Sequence, residues 1–252
     1  MIMRFSPLYG AALALVLASP AAAQDVYGPW TGFYAGVNAG AGFGKTNAAT
    51  TGQAAVNNST VADGARPPFT KMDSEGFVAG GQLGYNWQMG NWVYGFETDL
   101  QDADVRSTRN NATTGTAFPG TRNNVFRQEL EYFGTLRGRL GYAWGSTLLY
   151  GTGGLAYGNI NNSVNFSGPL PGAVAQFGGG INNTKYGYAA GGGIEQALGN
   201  NWSIKTEYLY YDLGSNAVPV GVIPGSGGAG TGYNVNFDNR GYIARVGLNY
   251  KF

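Results

Sequence analysis

Near the C-terminus, apolar residues recur at every second position: Tyr242, Ala244, Val246, Leu248, Tyr250 and Phe252. The residues between them, Ile243, Arg245, Gly247, Asn249 and Lys251, are mostly polar or small. Successive side chains of a strand point to opposite faces, so this segment reads as a strand with one greasy and one wet face. Chain ends of soluble domains are usually frayed and polar. A greasy strand reaching the last residue needs an apolar surrounding, and a closed barrel in lipid supplies one.

Composition narrows the choice. Charged residues make up 12% of the 252 residues, against about 25% in a typical soluble domain. Aromatics reach 14% and glycine 44 residues. No apolar run of about 18 residues follows the N-terminal region, so a spanning helix has no candidate there. A transmembrane barrel combines these traits, because its apolar residues are spread one in two along the strands. There are 0 cysteines and 0 histidines, which removes thiol nucleophiles, disulfides, imidazole bases and imidazole metal ligands.

The first 23 residues read as a secretory signal. Arg4 is the positive start, 8–17 the apolar stretch, and Ser19 to Ala23 the small-residue cleavage site before Gln24. Its removal leaves a 24–252 barrel domain with 14 basic and 14 acidic residues, a balance that offers nothing to nucleic acid.

Eight strands are expected, near 31–45, 74–88, 92–104, 127–143, 147–160, 185–198, 202–213 and 241–252. Short turns fall at 89–91, 144–146 and 199–201. Long polar segments fall near 46–73, 105–126, 161–184 and 214–240, and are read as loops without cores of their own. Strict alternation of short and long predicts an all-β, eight-stranded antiparallel up-and-down transmembrane barrel, with short periplasmic turns and four long extracellular loops. In strand five the outward face is open: Leu148 and Tyr150 favour one register, Leu149, Leu155 and Tyr157 the other. All five tryptophans, Trp30, Trp87, Trp92, Trp144 and Trp202, fall at the short-turn end, as expected of interface aromatics. A soluble lipocalin-like barrel, apolar inside and polar outside, is the rival fold.

Residues opposite the greasy faces should point inward. The expected interior network comprises Glu97, Asp99, Glu129, Glu131, Arg137, Arg139, Glu195, Lys205, Glu207 and Arg245, with Glu75, Gln82, Asn86, Gln101 and Lys251 beside it. Charges in so narrow a space must pair. They form either a plugged polar core or a gate built from Glu97, Glu131, Arg137 and Arg245. Paired carboxylates also suggest acid/base chemistry, but no histidine, cysteine or serine elbow accompanies them, and the expectation is that the chain is not an enzyme.

Several ordered segments resemble a known family. They are Trp30-Thr-Gly32-Phe33-Tyr34-Ala-Gly36, Gly80-Gly-Gln-Leu-Gly84-Tyr85-Asn86-Trp87, Tyr94-Gly-Phe96-Glu97-Thr98-Asp99, Thr135-Leu-Arg137-Gly-Arg139-Leu-Gly141-Tyr142, Leu149-Tyr-Gly-Thr-Gly153-Gly-Leu-Ala156-Tyr157-Gly158 and Trp202-Ser-Ile-Lys205-Thr-Glu207-Tyr208, together with the terminal strand. The combination resembles the alphaproteobacterial outer-membrane immunogenic proteins, porin-family barrels of OmpA-like design, over nearly the whole mature chain. The resemblance implies a Gram-negative outer-membrane protein with antigenic loops, in contact with lipid and lipopolysaccharide. It also implies a C-terminal signal for the barrel-assembly machinery at Arg245, Gly247, Tyr250 and Phe252. A peptidoglycan-binding domain of the larger OmpA pattern is not expected. Haem is described for some relatives, but here tyrosine would have to be its axial ligand, so no cofactor is expected.

Three roles are carried forward. The first is a structural barrel that supports the outer membrane and presents surface loops. The second is a small, low-conductance channel. The third is a surface module for ligand binding or adhesion, with Arg106, Arg109, Arg122 and Arg127 facing anionic lipopolysaccharide or a host surface.

Overall fold

The computed structural model describes residues 29–252 apart from 118–119, 171–172 and 229. The signal segment at 1–23 lies outside the described residues. The strands are β1 (Gly32–Gly52), β2 (Phe69–Met89), β3 (Trp92–Thr113), β4 (Arg122–Trp144), β5 (Thr147–Leu170), β6 (Ala173–Gly199), β7 (Trp202–Val222) and β8 (Tyr233–Lys251). Each pairs antiparallel with its sequence neighbour, and β8 returns to β1, closing the barrel. Closure satisfies the backbone donors and acceptors that an open edge would leave bare in lipid.

Turn chemistry fixes one end. Gly90 and Gly145 take positive φ (60° and 58°) at the first position of two-residue hairpins, and Asn200 and Asn201 both do so (49° and 67°) in the third. These are the backbone shapes that match the twist of paired strands.

Around this end the outward residues are apolar. Trp87, Trp92, Trp144 and Trp202 are exposed and pack on tyrosines: Trp87 stacks on Tyr94 (5.8 Å), while Trp92 meets Tyr142 (5.3 Å) and Trp202 meets Tyr250 (5.1 Å) edge to face. Trp30 departs from the expected interface position. It precedes β1, is only 5% exposed, and turns into the barrel beside Val93, Ala143, Leu148 and Tyr150. The outward apolar band runs about eight to twelve residues along each strand, roughly 25 Å tall once strand rise and tilt are allowed for.

The strands do not stop at the edge of this band. The segments expected as long loops are largely continuations of the same ladders. The connection between β5 and β6 shrinks to 171–172, and the others to 53–68, 114–121 and 223–232. In this outer part the polarity reverses. On β8 the outward residues are Asn234, Asn236, Asp238 and Arg240, while Tyr233, Val235 and Phe237 point inward and are buried. With Met72, Phe126, Val164, Phe166, Phe177, Val218 and Val220 they form an apolar core. The expectation of coreless loops is therefore corrected: outside the lipid band water is the external solvent, and apolar side chains bury inside.

Two bulges adjust individual strands to this reversal. On β4 the register shifts between Leu130 and Tyr132, so Glu131 and Tyr132 both lie outside while Leu130 and Phe133 both point in. On β7 the shift falls between Asp212 and Ser215. There Gly214 adopts φ 74° and its N–H donates to Asp212 Oδ1 at 2.8 Å. An extra residue flips the side-chain phase of a strand.

On β5 the open register resolves. Leu149 and Leu155 face lipid, whereas Leu148 and Tyr150 are buried inside.

Two substitutions separate the two solvents. Phe126→Ala removes a ring packed at 5.5 Å on Phe166 and 6.5 Å on Phe237 in the outer core. It should cost about 3–5 kcal/mol in reversible urea unfolding from lipid vesicles. Leu140→Arg, on the lipid face, should cost about 2–4 kcal/mol in the same assay.

Candidate functional site: a charged layer between apolar layers

Inside the barrel the side chains form layers. Above Trp30 and its apolar neighbours lies a charged layer containing Glu97, Asp99, Glu195, Glu207, Arg137, Arg139, Lys205 and Arg245, each at most 5% exposed. Strand register brings them together: Glu97 is directly opposite Arg137, Glu195 opposite Lys205, and Glu207 opposite Arg245.

Arg137 is the hub. Its Nη2 donates to Glu97 Oε1 and Asp99 Oδ2, both at 2.8 Å. Nη1 reaches Glu207 Oε1 at 3.1 Å, and Nε donates to Thr135 Oγ1 at 2.7 Å. Lys205 Nζ lies 2.6 Å from Glu97 Oε2. Arg245 bridges Asp99 (2.9 Å) and Glu207 (2.8 Å). Arg139 pairs with Glu195 at 2.7 Å and lies 4.0 Å over the Tyr150 ring. Tyr34 links the two halves, donating to Glu97 at 2.8 Å and accepting from Arg139 at 2.9 Å. Ser203 and Asn249 fill the remaining acceptor sites of Glu195 at 2.6 and 2.9 Å.

Four carboxylates thus meet four cations in one network, in which Arg139 Nε and Arg245 Nη1 lack a partner among the described residues. Buried charges persist only when paired and hydrogen-bonded in this way. Carboxylates so fully engaged are poorly placed to take a proton from a substrate.

Two expected members are elsewhere. Glu129 and Glu131 were expected inside but lie on the outer surface, because the β4 bulge shifts the phase upstream of Phe133. Glu129 pairs with Arg106 at 2.7 Å, and Glu131 accepts from Asn159 at 2.7 Å. Glu75 is likewise exposed, sharing the outward face with Phe77. A gate containing Glu131 is therefore excluded by its position.

Sequence reasoning also missed groups on the inner face, above all Tyr34 and Tyr150. Tyr34 follows Phe33, whose outward position marks Tyr34 as inward, so the signal was present. Of the positions expected to signal assembly, Arg245 belongs to this layer. Gly247 lies against it: a Cβ there would sit 3.0 Å from both Lys205 Cε and Gln82 Nε2. Tyr250 and Phe252 face outward and touch ring to ring at 5.4 Å.

Beneath the charged layer a cavity of about 240 Å³ opens between Trp30, Tyr34, Asn86, Glu195 and Trp202. Above the layer two apolar clusters lie across the lumen. Val78, Val105, Leu130, Phe133, Ile160, Leu209, Tyr211, Leu213 and Ile243 form one apolar layer. The outer core forms the other. Between them lies a polar belt that includes Thr46, Gln128 and Asn239, in which Gln128 accepts from Thr46 at 2.6 Å and donates to Asn239 at 2.9 Å.

Arg137→Ala should destabilise the folded barrel by about 3–5 kcal/mol, because Glu97, Asp99 and Glu207 lose their shared partner at once. Lowered urea midpoints in lipid vesicles would report it, and an unchanged midpoint would contradict the pairing described.

Comparison with known proteins agrees with this architecture. Residues 10–252 match the family described as outer membrane protein beta-barrel domain. The 31 kDa outer-membrane immunogenic protein of Brucella melitensis is 37% identical, over 93% of this chain and 88% of its own. The 22 kDa outer membrane protein of Rhizobium leguminosarum bv. viciae is 30% identical, over 71% and 69% respectively. Among solved structures, the outer membrane protein OprG of Pseudomonas aeruginosa shares the fold at a TM-score of 0.52 and 13% identity, over 90% of this chain and 99% of that one.

Proposed function

Since this chain belongs to the outer-membrane β-barrel protein family, and within it to the alphaproteobacterial outer-membrane proteins, we infer that it works as a closed, non-catalytic structural barrel. It would reinforce the outer membrane in which it sits and carry a rigid polar surface outside the cell. The observation that supports this most is the pair of apolar layers across the lumen, one above the charged layer and one in the outer part. Ions cross an apolar constriction only if it wets, and here rings and branched chains fill it.

The immunogenic relatives fit a protein whose outer part is exposed to antibodies. Its epitopes would be strand faces such as Asn234, Asn236 and Asp238 rather than mobile loops. The low-conductance channel is the second reading, and the cavity of about 240 Å³ beneath the charged layer favours it as a half-formed vestibule.

Outer-membrane lipid and lipopolysaccharide are proposed to surround the aromatic band. The barrel-assembly machinery is proposed to read the terminal strand. Deleting Phe252 should then lower the fraction of chains assembled in cells while leaving spontaneous refolding in detergent nearly intact.

Planar-bilayer recording of the refolded protein tests the closed-barrel reading. A folded barrel, verified by heat-dependent gel mobility, should give no discrete current steps. Reproducible steps that change in Arg137→Ala or Glu97→Gln would replace this reading with the channel.

A further inference from the structure

A second site lies at the outer mouth of the barrel. The connection from β1 to β2 folds a helix, α1 (Ala55–Ala62), over the opening. Thr60 Oγ1 lies 2.8 Å from the Tyr233 hydroxyl, and Asn57 Oδ1 accepts from the N–H groups of Thr231 and Gly232 at 3.2 and 3.3 Å. Beneath the helix is a cavity of about 90 Å³. Two arginines line it, Arg66 and Arg122, and among the described residues no carboxylate does; Arg122 Nη1 donates to the Gly120 carbonyl at 3.1 Å.

Arg66 is 2% exposed and projects among the rings of the outer core, 5.0 Å over Phe166 and 5.8 Å over both Phe177 and Tyr233. Its Nη1 donates to Asn124 Oδ1 at 2.8 Å and to the Ser167 carbonyl at 3.1 Å. Among the described residues its Nε has no partner. Amide, carbonyl and ring partners are all neutral, so the hydrogen bonds hold the guanidinium without cancelling its charge. Burial lowers its pKa from the usual arginine range, against an opposing pull from the Tyr233 hydroxyl; the charge of Arg122 adds the smallest part of the lowering. The charged layer deeper in the barrel shows the contrasting solution, with every cation matched by a carboxylate.

We propose that the outer mouth binds a small oxyanion of the phosphate type, taken up between Arg66 and Arg122. An orphaned buried donor on Arg66 and a cavity with two arginines in its lining both fit such a ligand. Guanidinium forks match the oxygens of a phosphate group. The group arrives from outside the cell, either as free phosphate or as a phosphate borne on the surface glycolipid. This inference does not depend on whether the barrel conducts.

Calorimetric titration of the refolded full-length barrel in a zwitterionic detergent tests it. The probes are inorganic phosphate, purified phosphorylated lipopolysaccharide and the same lipopolysaccharide after phosphatase treatment. Saturable binding of inorganic phosphate, weakened at least tenfold in Arg122→Gln, is the expected result. Binding of phosphorylated lipopolysaccharide that phosphate displaces and dephosphorylation abolishes would assign the glycolipid as the source. Phosphate binding without lipopolysaccharide binding would assign the free ion. Arg66→Lys keeps the charge and removes Nε, and should also weaken binding; heat-dependent gel mobility checks that each variant is folded. Absence of saturable binding by any of these probes, or affinities unchanged in folded Arg122→Gln, would overturn the proposal.

Discussion

The backbone ladder of this protein is continuous through two different solvents, and most of its side-chain chemistry follows from that constraint. Every strand must pair on both sides, because an open edge in hydrocarbon leaves donors and acceptors unsatisfied. The ring of strands then runs on beyond the lipid band without changing its backbone. What changes is the medium outside. In the band the outer face is greasy and charges lie inside. Beyond it the outer face carries Asn, Asp, Arg and Lys, and the inside carries Phe, Tyr and Val. The membrane-barrel and lipocalin-like patterns, rivals at the level of sequence, are both present, one above the other.

This arrangement also explains why the charged layer is tolerable. Eight strands leave a lumen that side chains can fill, and the apolar layers above the network limit access of water from outside. Under those conditions each charge must find its partner within the layer. Arg137, reaching Glu97, Asp99 and Glu207, does most of that work. The network joins β1, β3, β4, β5, β6, β7 and β8 through side chains, so it ties together strands that never share a backbone ladder.

Much of the membrane part was legible in the sequence. Alternation gave the outward faces of β1, β2, β3 and β8, the short turns, and the outward exposure of four of the five tryptophans at the short-turn end. What was hidden has specific physical causes. Alternation reports only that two faces differ, and it cannot say which one meets which solvent, so Tyr233, Val235 and Phe237 were absorbed into a polar loop. On β8 their odd positions contrast with the even positions of Tyr242, Val246 and Leu248, and that switch was a readable sign of reversed polarity. Bulges break the parity rule itself. One extra residue near Glu131 carried Glu129 and Glu131 to the outside, and nothing in the local pattern marks it. Trp30 lies before the first strand, where no pleat dictates direction. Arg66 gave no signal, since its aromatic surroundings come from β5, β6 and β8.

The most direct test of this account is hydrogen–deuterium exchange on the barrel refolded in lipid. If the outer part is a cored extension of the barrel, amides in 233–240 and 122–130 should exchange as slowly as those within the lipid band, over hours. If those segments are polar loops, they should exchange within seconds while only the band stays protected, and the continuous two-solvent barrel described here would be wrong.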